Sequence, residues 1–166
     1  MGHWLRPPLL LRPAAGWAQT TGTVTLVQPS AGLAYWEFTD NGAVNTIEIT
    51  MPMLDLWAGR TISSLEATWA TDGTLTSAMV IRSLVYNYVA GTDLANGTGT
   101  SIDNSGSVSI TPLGTAHSMS RVNYASGGAF TAGADLIRIL FQRRTSDAAD
   151  VNTDALRLYG IRLALV

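Results

Sequence analysis

Two runs decide the fold: Asp135-Leu-Ile-Arg-Ile-Leu-Phe-Gln-Arg-Arg-Thr145 and Ala155-Leu-Arg-Leu-Tyr-Gly-Ile-Arg-Leu-Ala-Leu-Val166. In the first, Ile137, Ile139 and Phe141 recur at every second position, the period of an extended strand with one buried face. In the second, Tyr159, Ile161, Leu163 and Leu165 share a face, after a bulge expected at Gly160. The same period runs backwards along the chain. Within Ile62–Thr71, Leu65, Ala67 and Trp69 alternate with Glu66 and Thr68. Within Val44–Thr50, Asn45, Ile47 and Ile49 oppose Val44, Thr46, Glu48 and Thr50. Ala34–Thr39 reads as a strand that stops at the turn Asp40-Asn41-Gly42. Asp72-Gly73 predicts a hairpin leading into a long strand over Leu75–Val89. Leu54–Arg60 is less regular and is read as holding a helical turn. Gly91–Gly106 predicts a loop, and Ser107–Thr111 and Ala116–Tyr124 predict two further strands. Eight or so strands with frequent turn signals imply an all-β chain: an antiparallel β-sandwich of jelly-roll type.

Residues 1–33 read differently. They hold Pro7, Pro8, Pro13 and Pro29, four of the six prolines, with Trp4 and Trp17. Proline fixes extended geometry and interrupts helices, so this stretch is expected to be an extended N-terminal arm, distinct from a sandwich domain over 34–166. An apolar arm needs a surface to cover it. Trp4, Leu5, Leu9, Leu10, Leu11 and Trp17 are the expected anchors on a partner, with Arg6 and Arg12 pairing to its acidic groups. The leucine run resembles a signal peptide, but Pro7, Pro8, Arg12 and Pro13 break it below the usual hydrophobic length.

Composition narrows the function classes. The 166 residues are 46% hydrophobic and only 13% charged, with net charge −2. This is too apolar for disorder, and it gives no electrostatic pull toward nucleic acid. So light a charge suggests that part of the surface is covered in an assembly. No stretch is long and apolar enough to cross a bilayer as a helix. Cysteine and lysine are both absent, which removes disulfides, thiolate chemistry, Schiff-base lysines and P-loop lysines. All ten basic residues are arginines.

Sites of chemistry are sparse. His3 and His117 stand alone, without the company a zinc site needs. Glu37, Glu48 and Glu66 could supply a glycosidase carboxylate pair, yet each alternates with apolar residues as a solvent-facing strand position does. Asp147, Asp150, Asn152 and Asp154 cluster oxygen donors of the kind calcium takes. The same residues serve equally as turn formers or as ion-pair partners of Arg143, Arg144 or Arg157. Trp57, Trp69, Tyr86, Tyr88 and Tyr124 could stack a glycan if they reached one exposed face, Trp57, Tyr86 and Tyr88 above all. No cofactor is implied, and the chain is expected to be non-enzymatic.

Certain residues carry a resemblance. Tyr35-Trp-Glu-Phe38, Met51-Pro52, Trp57-Ala-Gly-Arg-Thr-Ile62 and Trp69 resemble the front half of small β-sandwich virion proteins of tailed bacteriophages. Leu136–Asp150 and Asp154–Ile161 resemble their closing pair of strands around an acidic turn. The likeness spans about residues 34–166, and the loop 91–106 departs from it. The resemblance implies a virion location, a homotrimer, and no catalytic residues. With the arm, it implies a head decoration (cement) protein bound to the major capsid protein or another virion protein. The alternative is a tail-fibre or baseplate module that binds a host receptor or glycan.

Overall fold

The computed structural model describes residues 9–11, 17–52, 57–89, 99–123, 128–129 and 134–166. Twelve strands form two antiparallel sheets. In chain order they are β1 (Leu9–Leu11), β2 (Trp17–Thr21), β3 (Val24–Val27), β4 (Tyr35–Phe38), β5 (Val44–Pro52), β6 (Ile62–Thr71), β7 (Met79–Val89), β8 (Thr100–Asn104), β9 (Val108–Ile110), β10 (Ser120–Asn123), β11 (Ala134–Arg144) and β12 (Leu156–Leu165). One sheet runs β10-β6-β12-β4-β3, with β1 also on β12. The other runs β2-β5-β11-β7-β8, with β9 also on β7. From β4 to β7 successive strands alternate between the sheets, as do β10, β11 and β12, which is jelly-roll connectivity.

The core lies between the sheets and follows the period-two reading. Ile47 and Ile49 of β5, Ile137, Ile139 and Phe141 of β11, and Met79, Ile81 and Val85 of β7 face Leu65, Ala67 and Trp69 of β6 and Leu156, Leu158, Ile161 and Leu163 of β12. Phe38 meets Phe141 edge-on across this layer, with ring centroids 5.4 Å apart, the favoured aromatic geometry. Burial of these side chains, at roughly 25 cal/mol per Å² of apolar surface, is what holds the two sheets together.

Several local expectations are corrected. Asp72-Gly73 does not close a hairpin, because β6 and β7 lie in different sheets. The chain needs Thr74–Ala78 to cross between them, so the strand begins at Met79 and not at Leu75. The expected loop 91–106 contains β8, which pairs with β7 at Leu84↔Asn104 and Asn87↔Thr100. The strand expected over Ala116–Tyr124 is described only over Ser120–Asn123. His117 has a left-handed backbone (φ 64°), which breaks extended pairing there. The register of β12 shifts between Leu158 and Gly160, as Gly160 suggested, but the shift moves Tyr159 to the outer face. The runs 135–145 and 155–166 are not a paired hairpin. They face each other across the core from opposite sheets.

Residue 33 does not mark a boundary in the strand pairing. β1 pairs with β12 at Leu9↔Leu163, β2 with β5 at Trp17↔Ile49, and β3 with β4 at Val24↔Phe38. The described strands of 1–33 therefore belong to the two sheets of the sandwich. Trp4, Leu5, Arg6 and Arg12 lie outside the described residues.

Candidate functional site

The outer face of the β2-β5-β11-β7-β8 sheet is the best-built polar surface. Even-numbered residues of β5, β7 and β11 point away from the core, because odd-numbered neighbours such as Ile47, Val85 and Ile139 fill it. Register places Tyr86 beside Arg138, Arg138 beside Thr50, and Leu140 between Glu48 and Leu84. Arg138 Nε donates to Glu48 Oε2 at 2.9 Å, and its Nη1 donates to the Tyr88 hydroxyl at 3.3 Å. Burial alone would lower the Arg138 pKa, but the bonds to Glu48 and Tyr88 outweigh it and hold the guanidinium above its ordinary value. The Gln142 amide donates to Thr46 Oγ1 at 3.2 Å, and Arg82 Nε donates to Asn104 Oδ1 at 3.0 Å. The half-buried Tyr86 thus sits beside the guanidinium of the Arg138–Glu48 pair, with Gln142, Thr46 and Arg82 further along the same face, all carried on strands rather than loops.

A second polar-aromatic cluster lies on the outer face of the opposite sheet. Tyr35 and Tyr159 pack with centroids 5.4 Å apart, and the Arg157 guanidinium lies 4.9 Å from the Tyr35 centroid. Arg157 also donates to Glu37 at 2.9 Å and contacts His117 Nδ1 at 2.8 Å. Burial pulls the Arg157 pKa down, but the bond to Glu37 together with the electrostatic pull of Tyr35, Glu37 and Asp72 outweighs it and holds the guanidinium above its ordinary value. Sequence reading missed this cluster, since its residues are scattered along the chain and Tyr159 was assigned to the core face.

The expected stacking platform does not assemble. Trp57 and Trp69 are in the core, Tyr88 is buried on the outer face, and among the described members only Tyr86 is partly exposed there. Tyr124 lies outside the described residues. The three glutamates are each engaged by an arginine of the neighbouring strand: Glu37 by Arg157, Glu48 by Arg138 and Glu66 by Arg162. Glu48 is on the opposite sheet from Glu37 and Glu66, so it shares a sheet face with neither.

The acidic segment has a structural use. Arg143 Nη2 donates to Asp150 Oδ1 at 3.1 Å, and Val80 N–H donates to Asp150 Oδ2 at 2.9 Å. Asp147 Oδ1 accepts from Ala149 N–H at 3.1 Å. Asn152 donates to Ser77 O at 2.8 Å, and Asp154 Oδ2 accepts from Leu75 N–H at 2.9 Å. These oxygens answer protein donors, which is the ion-pair and turn-forming use. Among the described residues no group of three or more His, Asp or Glu is placed to hold a metal ion. Nor is any helix among them long and apolar enough to cross a membrane.

No family model and no curated protein matches the sequence. Solved structures do match in fold. An arabinose-bound α-L-arabinofuranosidase superposes with a TM-score of 0.58 at 10% identity, over 97% of this chain and 27% of that one. The chain thus corresponds to about a quarter of that enzyme. The C-terminal family 22 carbohydrate-binding module of Clostridium thermocellum Xyn10B matches with a TM-score of 0.55 at 11% identity, over 99% of this chain and 97% of that one. The enzymatically active domain of bacteriophage CBA120 tailspike protein 4 matches with a TM-score of 0.51 at 14% identity, over 92% of this chain and 20% of that one. At such identities the likeness establishes the β-sandwich fold.

Proposed function

We propose that this chain is a non-catalytic glycan-binding module, and that the outer face of the β2-β5-β11-β7-β8 sheet is its binding surface. The observation that carries the reading is the half-buried Tyr86 beside the Arg138–Glu48 pair and Thr50, with Gln142 and Arg82 further along the same face beyond Leu84 and Leu140, all on rigid strands. Sugars offer hydroxyls to planar hydrogen-bonding groups and C–H faces to aromatic rings, and a binding site needs both, held in place. The arrangement suits a bound sugar better than a cleaved one, because the carboxylates are tied to arginines and Glu48 shares a sheet face with neither of the others. Full-length match to a carbohydrate-binding module fits this reading.

The setting we favour is a virion tail appendage, with the module presenting its sheet to a host surface glycan. The phage-like residues and the tailspike-domain fold neighbour support it. The head-decoration role rested on a leader free to lie across another protein. With β1, β2 and β3 paired inside the molecule, that role retains only the leader residues outside the described set as its anchor.

A glycan array followed by affinity electrophoresis tests the binding. Tyr86→Ala and Arg138→Ala should each weaken the recognised glycan about ten-fold, the effect of losing roughly 1.4 kcal/mol of contact. Reducing ends should not accumulate during incubation. Tight binding unaffected by both substitutions, or release of new reducing ends, would refute the proposal.

A further inference from the structure

A groove of about 430 Å³ lies at the edge of the sandwich, on the opposite sheet's side from the Tyr86 surface and close to the His117 end of the second cluster. It forms where the chain leaves β9 in one sheet and enters β10 in the other. Trp69 and Ile110 are the buried residues of its lining, Leu113 and Met119 stand 63% and 58% exposed, and Thr111, Ser120 and Arg121 supply the polar rim. The Trp69 indole Nε1 is buried without a hydrogen-bond partner. Most other arginines of the described chain are committed: Arg138, Arg143, Arg157 and Arg162 to carboxylates, Arg82 and Arg144 to Asn104 and Ser107. Arg121 is exposed, and its side chain has neither ion pair nor hydrogen bond among the described residues.

The walls are held in place. His117 N–H donates to Thr71 O at 2.8 Å, and its ring meets Arg157, which fixes the loop two residues before Met119. His117 takes a left-handed backbone to do this (φ 64°), a conformation non-glycine residues adopt only when their surroundings enforce it. Beside Leu113, Gly114 also has a left-handed backbone (φ 72°), and a Cβ there would come 2.8 Å from the Thr76 methyl. A loop held so closely at two points presents a pre-formed surface.

We propose that this groove binds a carboxylate-bearing saccharide unit, such as a uronic or sialic acid residue. An unpaired guanidinium matches a carboxylate bidentately, and with greater strength than a neutral partner. Thr111 and Ser120 offer hydroxyls to the ring hydroxyls, and Leu113 and Met119 offer apolar surface to the C–H face. The volume falls within the range of small-ligand sites, about 300–1,000 Å³. This site is independent of the sheet face, so either can fail alone.

Calorimetric titration of the whole chain with trigalacturonate, its methyl ester and a sialyl trisaccharide tests it. At least one acidic probe should bind, the methyl ester should bind about ten-fold more weakly than trigalacturonate if the latter is the probe bound, and added salt should weaken the acid alone. Arg121→Gln should remove the preference for the acid, and Thr111→Ala with Ser120→Ala should weaken binding of the acidic probe. Circular dichroism confirms that each variant is folded. Failure of both acidic probes to bind, equal binding of acid and ester, or an acid preference untouched by Arg121→Gln would overturn the proposal. So would loss of self-association on Leu113→Ser and Met119→Ser in a chain that binds no acidic probe, which would make the groove a protein interface.

Discussion

Arg143 has no exposed side-chain surface, although it carries a full charge between two sheets. Its guanidinium donates to both Asp150 carboxylate oxygens, to Phe38 O at 3.3 Å and to Asp154 O at 2.6 Å, and it also bonds Asn152 O. A buried cation persists only with such complete pairing. Arg143→Met would strand the Asp150 carboxylate beneath the 146–155 segment. A loss of about 3–5 kcal/mol in urea unfolding is expected, with partial recovery when Asp150→Asn is added. Tyr159 gives a second prediction. Burial pushes its phenol above its ordinary value of 10.0, and Arg157 pulls the other way. The folded state thus holds this proton more tightly than the unfolded state does. The stabilisation is complete below the unfolded pKa and is lost as pH rises through the folded one. The thermal midpoint should therefore fall above about pH 10, and Tyr159→Phe should blunt that fall.

At the scale of elements, the leader is where sequence and structure part most. Its prolines suggested an arm whose removal would leave the sandwich folded. The pairing of β2 along β5 predicts otherwise: deleting residues 1–21 opens the β5 edge and removes the Thr21–Thr46 hydroxyl bond of 2.8 Å. The truncated chain should lose denaturant stability and aggregate through that edge, measurable by light scattering. A truncated monomer with unchanged unfolding midpoint would contradict the pairing. Strand existence was legible wherever one face is buried, as in Ile137, Ile139 and Phe141, since period two encodes exposure directly. Sheet assignment was not. Asp72-Gly73 has the chemistry of a hairpin turn, and only the competition of β12 for β6 and of β11 for β7 shows that the chain crosses there. The Gly160 bulge was readable from glycine alone, but its offset was not, so Tyr159 was placed on the wrong face. The candidate surface was harder still. Tyr86 was singled out by residue type, whereas Arg138, Glu48 and Gln142 join it only through strand register.

At the scale of the molecule, a lightly charged chain places its arginine–glutamate pairs on the outer faces of two sheets around a largely apolar core. Only residues held by β-sheet register make the Tyr86 surface, so binding there should need no loop ordering and little conformational change. Mapping amide chemical shifts of the labelled chain against a recognised oligosaccharide tests that account most directly. The account predicts perturbations concentrated at Thr46, Glu48, Thr50, Tyr86, Arg138 and Gln142, with about ten-fold more ligand needed to reach them in Tyr86→Ala. Perturbations confined to the Tyr35–Tyr159 face, or none with any glycan, would contradict it.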